Sequence, residues 1–251
     1  MKCTILGTGD VEGHPIITKP NEFLKKGESK LRPGFLVQNG KDTVIFDAGP
    51  DIRQQLLETR VKNISAIFIT HQHFDHLWGI ADIFQLSWLE RITFPVYVTE
   101  DTALYIRTFM PWIDLPLRVM QFQKIYEFDN FSVEPFSISH SKSFQSASFL
   151  ITSHTKKNVF YAPDILKVND NKMIKCSISV TDGTFFFGKY IANNHEHLGP
   201  TELKKLIDSW EAEKNYLISV APYYYSKTTD ELRSLLPARY YLPDDYTHFD
   251  L

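Results

Sequence analysis

His71-Gln72-His73-Phe74-Asp75-His76 packs three imidazoles and a carboxylate into six residues. Imidazole nitrogens and carboxylate oxygens are the donors that zinc and its divalent neighbours accept. The motif follows the apolar run Ala66-Ile67-Phe68-Ile69-Thr70, so it sits where a strand ends and a helix begins. In extended backbone alternate residues face the same way, which lets His71 and His73 grip one ion. Asp75 and His76 then turn into the following segment and can serve a second. Buried side by side without an ion, these groups would carry unpaired nitrogens into a core edge, which is costly. The residue types and their spacing point to a metal site.

Two later residues stand where a strand delivers a side chain. Ser137-Ile138-Ser139-His140-Ser141 ends an alternating segment that begins near Phe131, and Asn158-Val159-Phe160-Tyr161-Ala162-Pro163-Asp164 is a short apolar strand with an aspartate at its tip. Read alone, His140 and Asp164 are ordinary surface residues; their order behind the six-residue motif gives them weight.

Together these residues resemble the H-x-H-x-D-H core of the metallo-β-lactamase fold superfamily. The resemblance implies that His71, His73 and His140 hold one metal, that Asp75 and His76 approach another, and that Asp164 bridges the two. It implies zinc, with manganese or iron as alternatives, at one or two ions per chain. A water between such ions loses a proton near neutral pH and becomes a nucleophile. Asp47, in Ile45-Phe46-Asp47-Ala48-Gly49, matches the aspartate that supports the metal histidines from behind; a turn-forming aspartate before Gly49 is the alternative.

Within the superfamily the chain most resembles the phosphoribosyl cyclic phosphodiesterases of phosphonate breakdown. The shared features are Gly7-Thr8-Gly9, the proline-containing loop after it, Asn194-His195-Glu196-His197 before a helix, and Leu236-Pro237 leading to Asp245-Tyr246. That resemblance gives His197 a role at the leaving group or the phosphate. His197 and Asp75 are the catalytic candidates, Asp75 doubling as a ligand. Asp182-Gly183-Thr184-Phe185-Phe186 is similar to a neighbouring branch, the protein of pyrroloquinoline quinone biosynthesis. The implied function is metal-dependent hydrolysis of a small phosphodiester, cyclic ones included. The alternatives are an oxidoreductase-type metal protein of the quinone-cofactor kind and a catalytically weak metal-binding protein.

Two departures from the family matter. Val11 to Arg32 contains no cysteine, so the structural zinc that the relatives hold in this loop is expected to be absent. The relatives' last ligand, a histidine after a late strand, has no counterpart in Leu217-Ile218-Ser219-Val220-Ala221-Pro222-Tyr223, where Val220 falls near its place. The second metal therefore lacks a protein donor unless His195 or His248 supplies one.

At 251 residues with 43% hydrophobic and 14% aromatic content, the chain can bury a sizeable core. A net charge of −3 offers no global basic field, so no stable nucleic-acid partner is expected, and the expected partner is a small phosphorylated substrate. Lys25, Lys26, Lys30 and Arg32 read as a solvated loop. Cys3 and Cys176 read as buried reduced thiols, which with no signal peptide or spanning segment suggests a cytoplasmic protein off the membrane. A homodimer is left open.

The elements that must position the site alternate. A hairpin turns at Asn39-Gly40. Helices are expected near Asp51–Thr59, Leu77–Trp88, Thr102–Phe109, Thr201–Ala212 and Thr228–Leu236. Strands are expected at Ala66–Thr70, Pro95–Thr99 and Tyr216–Ala221, and strands dominate from Leu117 to Thr181. This mixture suits one α/β (α+β) domain over residues 1–251, two face-to-face sheets with helices outside, the αββα sandwich of the metallo-β-lactamase type.

Overall fold

Alternation along a strand leaves one face to bury, and here two sheets bury theirs against each other. The computed structural model describes residues 1–18, 23, 28–61, 63–170, 172–188 and 196–251. Strands β1 (Lys2–Gly7), β2 (Gly34–Asn39) and β3 (Asp42–Phe46) form an antiparallel start, turning at Gly40 as the Asn-Gly pair predicts. Strands β4 (Ala66–Phe68), β5 (Val96–Val98) and β6 (Leu117–Val119) then add in parallel. Parallel neighbours need crossovers, and helices α1 (Ile52–Thr59), α2 (Phe74–Leu77), α3 (Ile80–Glu90) and α4 (Glu100–Phe109) lie in them.

The second sheet begins with β7 (Tyr126–Glu127), β8 (Phe131–Ser139), β9 (Ser146–Ser153), β10 (Asn158–Ala162) and β11 (Lys167–Val168). It continues with β12 (Ile178–Asp182), the helix α5 (Pro200–Asp208), β13 (Lys214–Ile218), the helices α6 (Pro222–Tyr225) and α7 (Thr229–Ser234), and β14 (Tyr240–Tyr241). Across this sheet the order is β11-β8-β9-β10-β12-β13-β14. The chain ends in β15 (His248–Asp250), which returns to the first sheet and pairs with β1.

Between the sheets lies an aromatic layer. Phe46 and Phe68 of the first sheet meet Phe149 of the second at 5.2 and 5.4 Å between ring centroids, and Phe35 stacks on Tyr161 at 5.2 Å. Outside the first sheet, Ile52, Ile80, Ile83 and Ile106 cover Ile45 and Ile67; outside the second, Leu203, Ile207, Trp210 and Leu232 cover Phe136 and Phe160. The layers are α, β, β, α. Cys3 and Cys176 are buried free thiols, both pushed up to about 12, chiefly by burial.

Two expectations change, and one short helix is added. The helix expected from Leu77 to Trp88 is two helices, because the chain passes within contact of Gly49 at Gly79. A Cβ on Gly79 would stand 2.0 Å from the Gly49 carbonyl oxygen. Lys30 is not solvated: it is 2% exposed, with Nζ 3.4 Å from Thr8 Oγ1, and Arg32 pairs with Asp51 at 3.1 Å. Lys25 and Lys26 lie outside the described residues. The Tyr223-Tyr224-Tyr225 run forms the short α6, which the sequence reading did not anticipate.

Phe149 bridges Phe46 and Phe68 with no exposed surface. Phe149→Ala is expected to destabilise the fold by about 3–5 kcal/mol. A denaturant titration checks this: a lower midpoint at unchanged slope is the expected result.

Candidate metal centre

The candidate donors stand at the carboxyl ends of strands. Asp47 follows β3, His71 follows β4, His140 follows β8, Asp164 follows β10 and Asp182 ends β12. His73 has extended backbone (φ −61°, ψ 151°) and caps α2, whose single turn carries Asp75 and His76. That turn is pressed against the segment after β3. The His76 carbonyl accepts from the Ala48 amide at 2.8 Å, and a Cβ on Gly49 would fall 1.9 Å from the Asp75 carbonyl oxygen. Glycine is required there because no side chain fits.

Hydrogen bonds behind the histidines fix their tautomers. Asp47 is fully buried, and its Oδ1 accepts from the Thr70 amide and the Thr70 hydroxyl, both at 2.8 Å. Having donated its only proton, the Thr70 hydroxyl accepts from His71 Nδ1 at 2.9 Å. The other oxygen of Asp47 accepts from His76 Nδ1 at 2.9 Å and from the Tyr161 hydroxyl at 3.0 Å. His140 Nδ1 donates to the Glu196 carbonyl at 2.9 Å. The remaining Nε2 atoms of His71, His76 and His140 all point inward.

Two clusters result. His71 Nε2 lies 2.9 Å from His73 Nδ1, which lies 3.1 Å from His140 Nε2. With Asp164 these donors lie within 4.8 Å of one another, and Asp75, His76 and Asp164 form a second such group. Asp164 belongs to both, the position of a bridging ligand. His76 Nε2 sits 2.8 Å from Asp164 and 3.1 Å from Asp75 but out of hydrogen-bond alignment with either, and it is a buried atom without a partner. Lone pairs facing one another, with a buried nitrogen left over, fit divalent cations. The structure thus brings together all six predicted donors.

The charge states follow from burial and neighbours. Burial, then the nearby imidazoles of His76 and His140, hold His71 well below its ordinary range. His73 is lowered for the same reasons. For His76 burial opposes the charge, yet Asp75, Asp47 and Asp164 together hold it well above. Burial opposes ionisation of Asp164 too, but His76 and His140 keep it well below the usual carboxylate range.

A third group contains a residue that the sequence reading missed as a site residue. Asp182, fully buried, accepts from His197 Nδ1 at 2.8 Å and from the Thr184 amide at 2.8 Å. Asp164 lies within 4.8 Å of both Asp182 and His197 donor atoms. Burial opposes the charge on His197, but Asp182 outweighs it and raises the imidazole to about 9. The signal was present in Asp182-Gly183-Thr184, an aspartate at a strand end followed by a turn, but nothing in the chain near it named its partner fifteen residues on.

His73, Asp75, His140, Asp164 and His197 line one cavity of about 360 Å³, with Asp10, Phe74, Phe185, Ser219 and Tyr224 among its other walls. Ser219, in left-handed backbone (φ 59°), faces it; Val220 instead packs in the core against Gly183. At this late strand it is Ser219, and not Val220, that reaches the cavity. His248 does not replace the missing histidine. It is exposed, on the edge strand β15 opposite Thr4, and belongs to none of the donor groups. His195 lies outside the described residues.

Metal titration of the apo chain is expected to show two steps, the first tighter, because no fourth side chain joins Asp75, His76 and Asp164 among the described residues. The weaker step should release a proton from His76, so its affinity rises with pH; calorimetry in buffers of different ionisation enthalpy reads that release. Asp47→Ala removes the hydrogen bonds that orient His71 and His76 and should weaken binding by about 10- to 100-fold.

Comparison with known proteins bears on the family and the fold. A family model described as the beta-lactamase superfamily domain matches residues 42–218. Among curated proteins, an octanoyltransferase of Porphyromonas gingivalis is 24% identical over 57% of this chain and 31% of its own length. Ribonuclease Z of Methanococcus maripaludis is 29% identical over 56% of this chain and 45% of its own. The chain thus spans less than half the length of these relatives. Among solved structures, a diphosphatase from the PhnP family superposes with a TM-score of 0.81 at 21% identity, covering 99% of this chain and 97% of that one. Zinc-bound PqqB from Methylobacterium extorquens superposes at 0.78 and 16% identity, covering 100% of both. At those identities the superpositions speak for the fold alone, while the family match spans more than half of the chain: it belongs to the metallo-β-lactamase superfamily.

Proposed function

We propose that this protein is a metal-dependent hydrolase of a phosphoester bond in a small phosphorylated molecule, with zinc as its metal. The observation that carries the reading is the double donor cluster sharing Asp164 on the wall of a cavity of about 360 Å³, a size suited to a small ligand. The diphosphatase among the structural neighbours and the ribonuclease Z relatives support phosphorus chemistry.

His71 Nε2, His73 Nδ1 and His140 Nε2 would hold one ion, Asp75 and His76 Nε2 the other, and Asp164 both. Divalent ions held there supply Lewis acidity and lower the pKa of water enough for attack near neutral pH. The chain's own residues do the rest. Asp164 stays ionised under its histidines, so it is free to ligate. Asp182 holds His197 Nδ1 and leaves the other ring nitrogen for the cavity that His197 lines. Held at about 9, His197 is protonated at neutral pH and can deliver a proton to the departing oxygen or bind a phosphoryl oxygen. Asp182 is its positioning residue.

A screen of the metal-loaded protein against cyclic and linear phosphodiesters, a diphosphate ester and a precursor tRNA tests the proposal. Turnover of a small phosphoester supports it. Turnover of the tRNA alone would make it a nuclease like its ribonuclease Z relatives. One bound ion and no hydrolysis would favour the quinone-cofactor kind of protein or a weak binder. On the substrate found, His197→Ala should lower kcat by about 10²- to 10⁴-fold at unchanged metal content. An acid must be protonated, so the rate should fall as pH rises through about 9. Asp182→Asn removes the charge that raises His197, and the fall should move to lower pH.

A further inference from the structure

The cavity has a second wall whose carboxylate would repel a phosphate rather than hold it. Asp10 follows the Gly7-Thr8-Gly9 turn, is 4% exposed, and lines the same cavity as His73, Asp75 and His140. Both of its carboxylate oxygens are buried and receive no hydrogen bond. His14 Nε2 lies 3.3 Å from Oδ1 but outside hydrogen-bond alignment, and it too has no hydrogen-bond partner. Among the described residues, the nearby lysine and arginine are committed elsewhere. Lys30 Nζ turns to Thr8 Oγ1, and the Arg32 guanidinium binds Asp51 and the carbonyls of Val11 and Glu12. A buried carboxylate left without donors is costly, and it is tolerated where a ligand supplies them.

Three occupants compete. A compact metal ion needs several donors close together, and Asp10 and His14 join no such group among the described residues. A neutral hydroxyl would supply hydrogen bonds but no charge to offset a buried carboxylate. The neighbouring Glu12 carboxyl, which accepts from the Tyr223 hydroxyl, is held above its ordinary range first by burial and next by Asp10, so it resists adding a second negative charge. An organic cation supplies both donors and charge. Tyr224, on the same wall, adds an aromatic ring of the kind that attracts such cations.

We propose that Asp10, with Tyr224, forms a subsite for an ammonium group on the substrate, so that the molecule taken is zwitterionic, its phosphate at the metal donors and its amine at Asp10. This rests on the phosphoester reading above for the phosphate end only. Asp10 takes no part in metal holding, and its side chain makes no hydrogen bond that the fold needs, so Asp10→Asn should fold and load metal as the parent does.

The test uses the full metal-loaded chain and calorimetry with ω-aminoalkyl phosphates of two to six carbons against ω-hydroxyalkyl phosphates of equal length. At one chain length the amine should bind about 10- to 100-fold tighter than the alcohol, the scale of one charge-assisted hydrogen bond. Asp10→Asn should abolish that preference while leaving hydroxyalkyl phosphate binding and metal content unchanged. Equal binding of amine and alcohol at every length overturns the proposal, as does a preference for the alcohol or one that survives in Asp10→Asn. If no phosphate binds at all, the phosphoester reading fails, and butylammonium against butanol judges the subsite alone. Saturable binding of butylammonium that Asp10→Asn removes upholds it, and none refutes it.

Discussion

Asp47 accepts four hydrogen bonds with no water contact, from the Thr70 amide, the Thr70 hydroxyl, His76 Nδ1 and the Tyr161 hydroxyl. Those bonds tie β3 to β4, to the α2 turn and to β10 of the opposite sheet. They also decide which nitrogen of His71 and of His76 is left for a metal, since a ring nitrogen that donates backward cannot ligate forward. The carboxylate reaches this place because Asp47 adopts left-handed backbone (φ 66°), a conformation that aspartate tolerates better than most residues. Gly49, two residues on, then lets the Asp75 turn close against the same segment. A short stretch of chain therefore sets both the shape and the protonation of the site.

The electrostatics of the cluster are unresolved until a cation enters. His71 and His73 are kept neutral by burial and by the imidazoles of His76 and His140, while His76 is kept charged by the carboxylates around it. The first group is thus ready to bind, and the second must exchange a proton for a metal. The asymmetry has the same direction as the ligand count, because the second group is also the one without a late histidine. Two independent physical effects rank the sites alike.

Much of this was legible in the sequence because it is local. His71 to His76 lie within six residues of one another, and His140 and Asp164 lie at the tips of strands whose apolar runs are plain. The sandwich architecture was legible for the same reason: period-two segments and helical segments separate cleanly. What escaped was set by contacts distant in the chain. Asp182 gains its meaning from His197, across a segment with no period. Val220 and Ser219 are neighbours that face opposite ways, and only the left-handed backbone at Ser219 decides which reaches the cavity. Lys30 looked like one of several loop lysines, yet the Thr8 hydroxyl and Asp245, which accepts from the Thr8 and Leu31 amides, draw it inside. His248 looked available as a ligand because a tail has no pattern to say that it would become an edge strand on β1.

The two departures from the resembled family, a first loop without cysteine and a late strand without histidine, meet at one corner of the molecule. The Val220 amide reaches the Thr8 carbonyl at 3.4 Å, and the rings of His14 and Tyr223 lie 5.6 Å apart. Tyr223 bonds Glu12 as well. Side-chain contacts of tyrosine, histidine and carboxylate thus join the first loop to the end of the late strand. This is also the corner at which Asp10 opens into the cavity. The first loop carries carboxylates and aromatic neighbours in place of cysteines, while the first donor cluster across the cavity keeps its three histidines. Differences gathered at this corner change what the cavity can recognise and weaken only the second donor group, leaving His71, His73 and His140 in place.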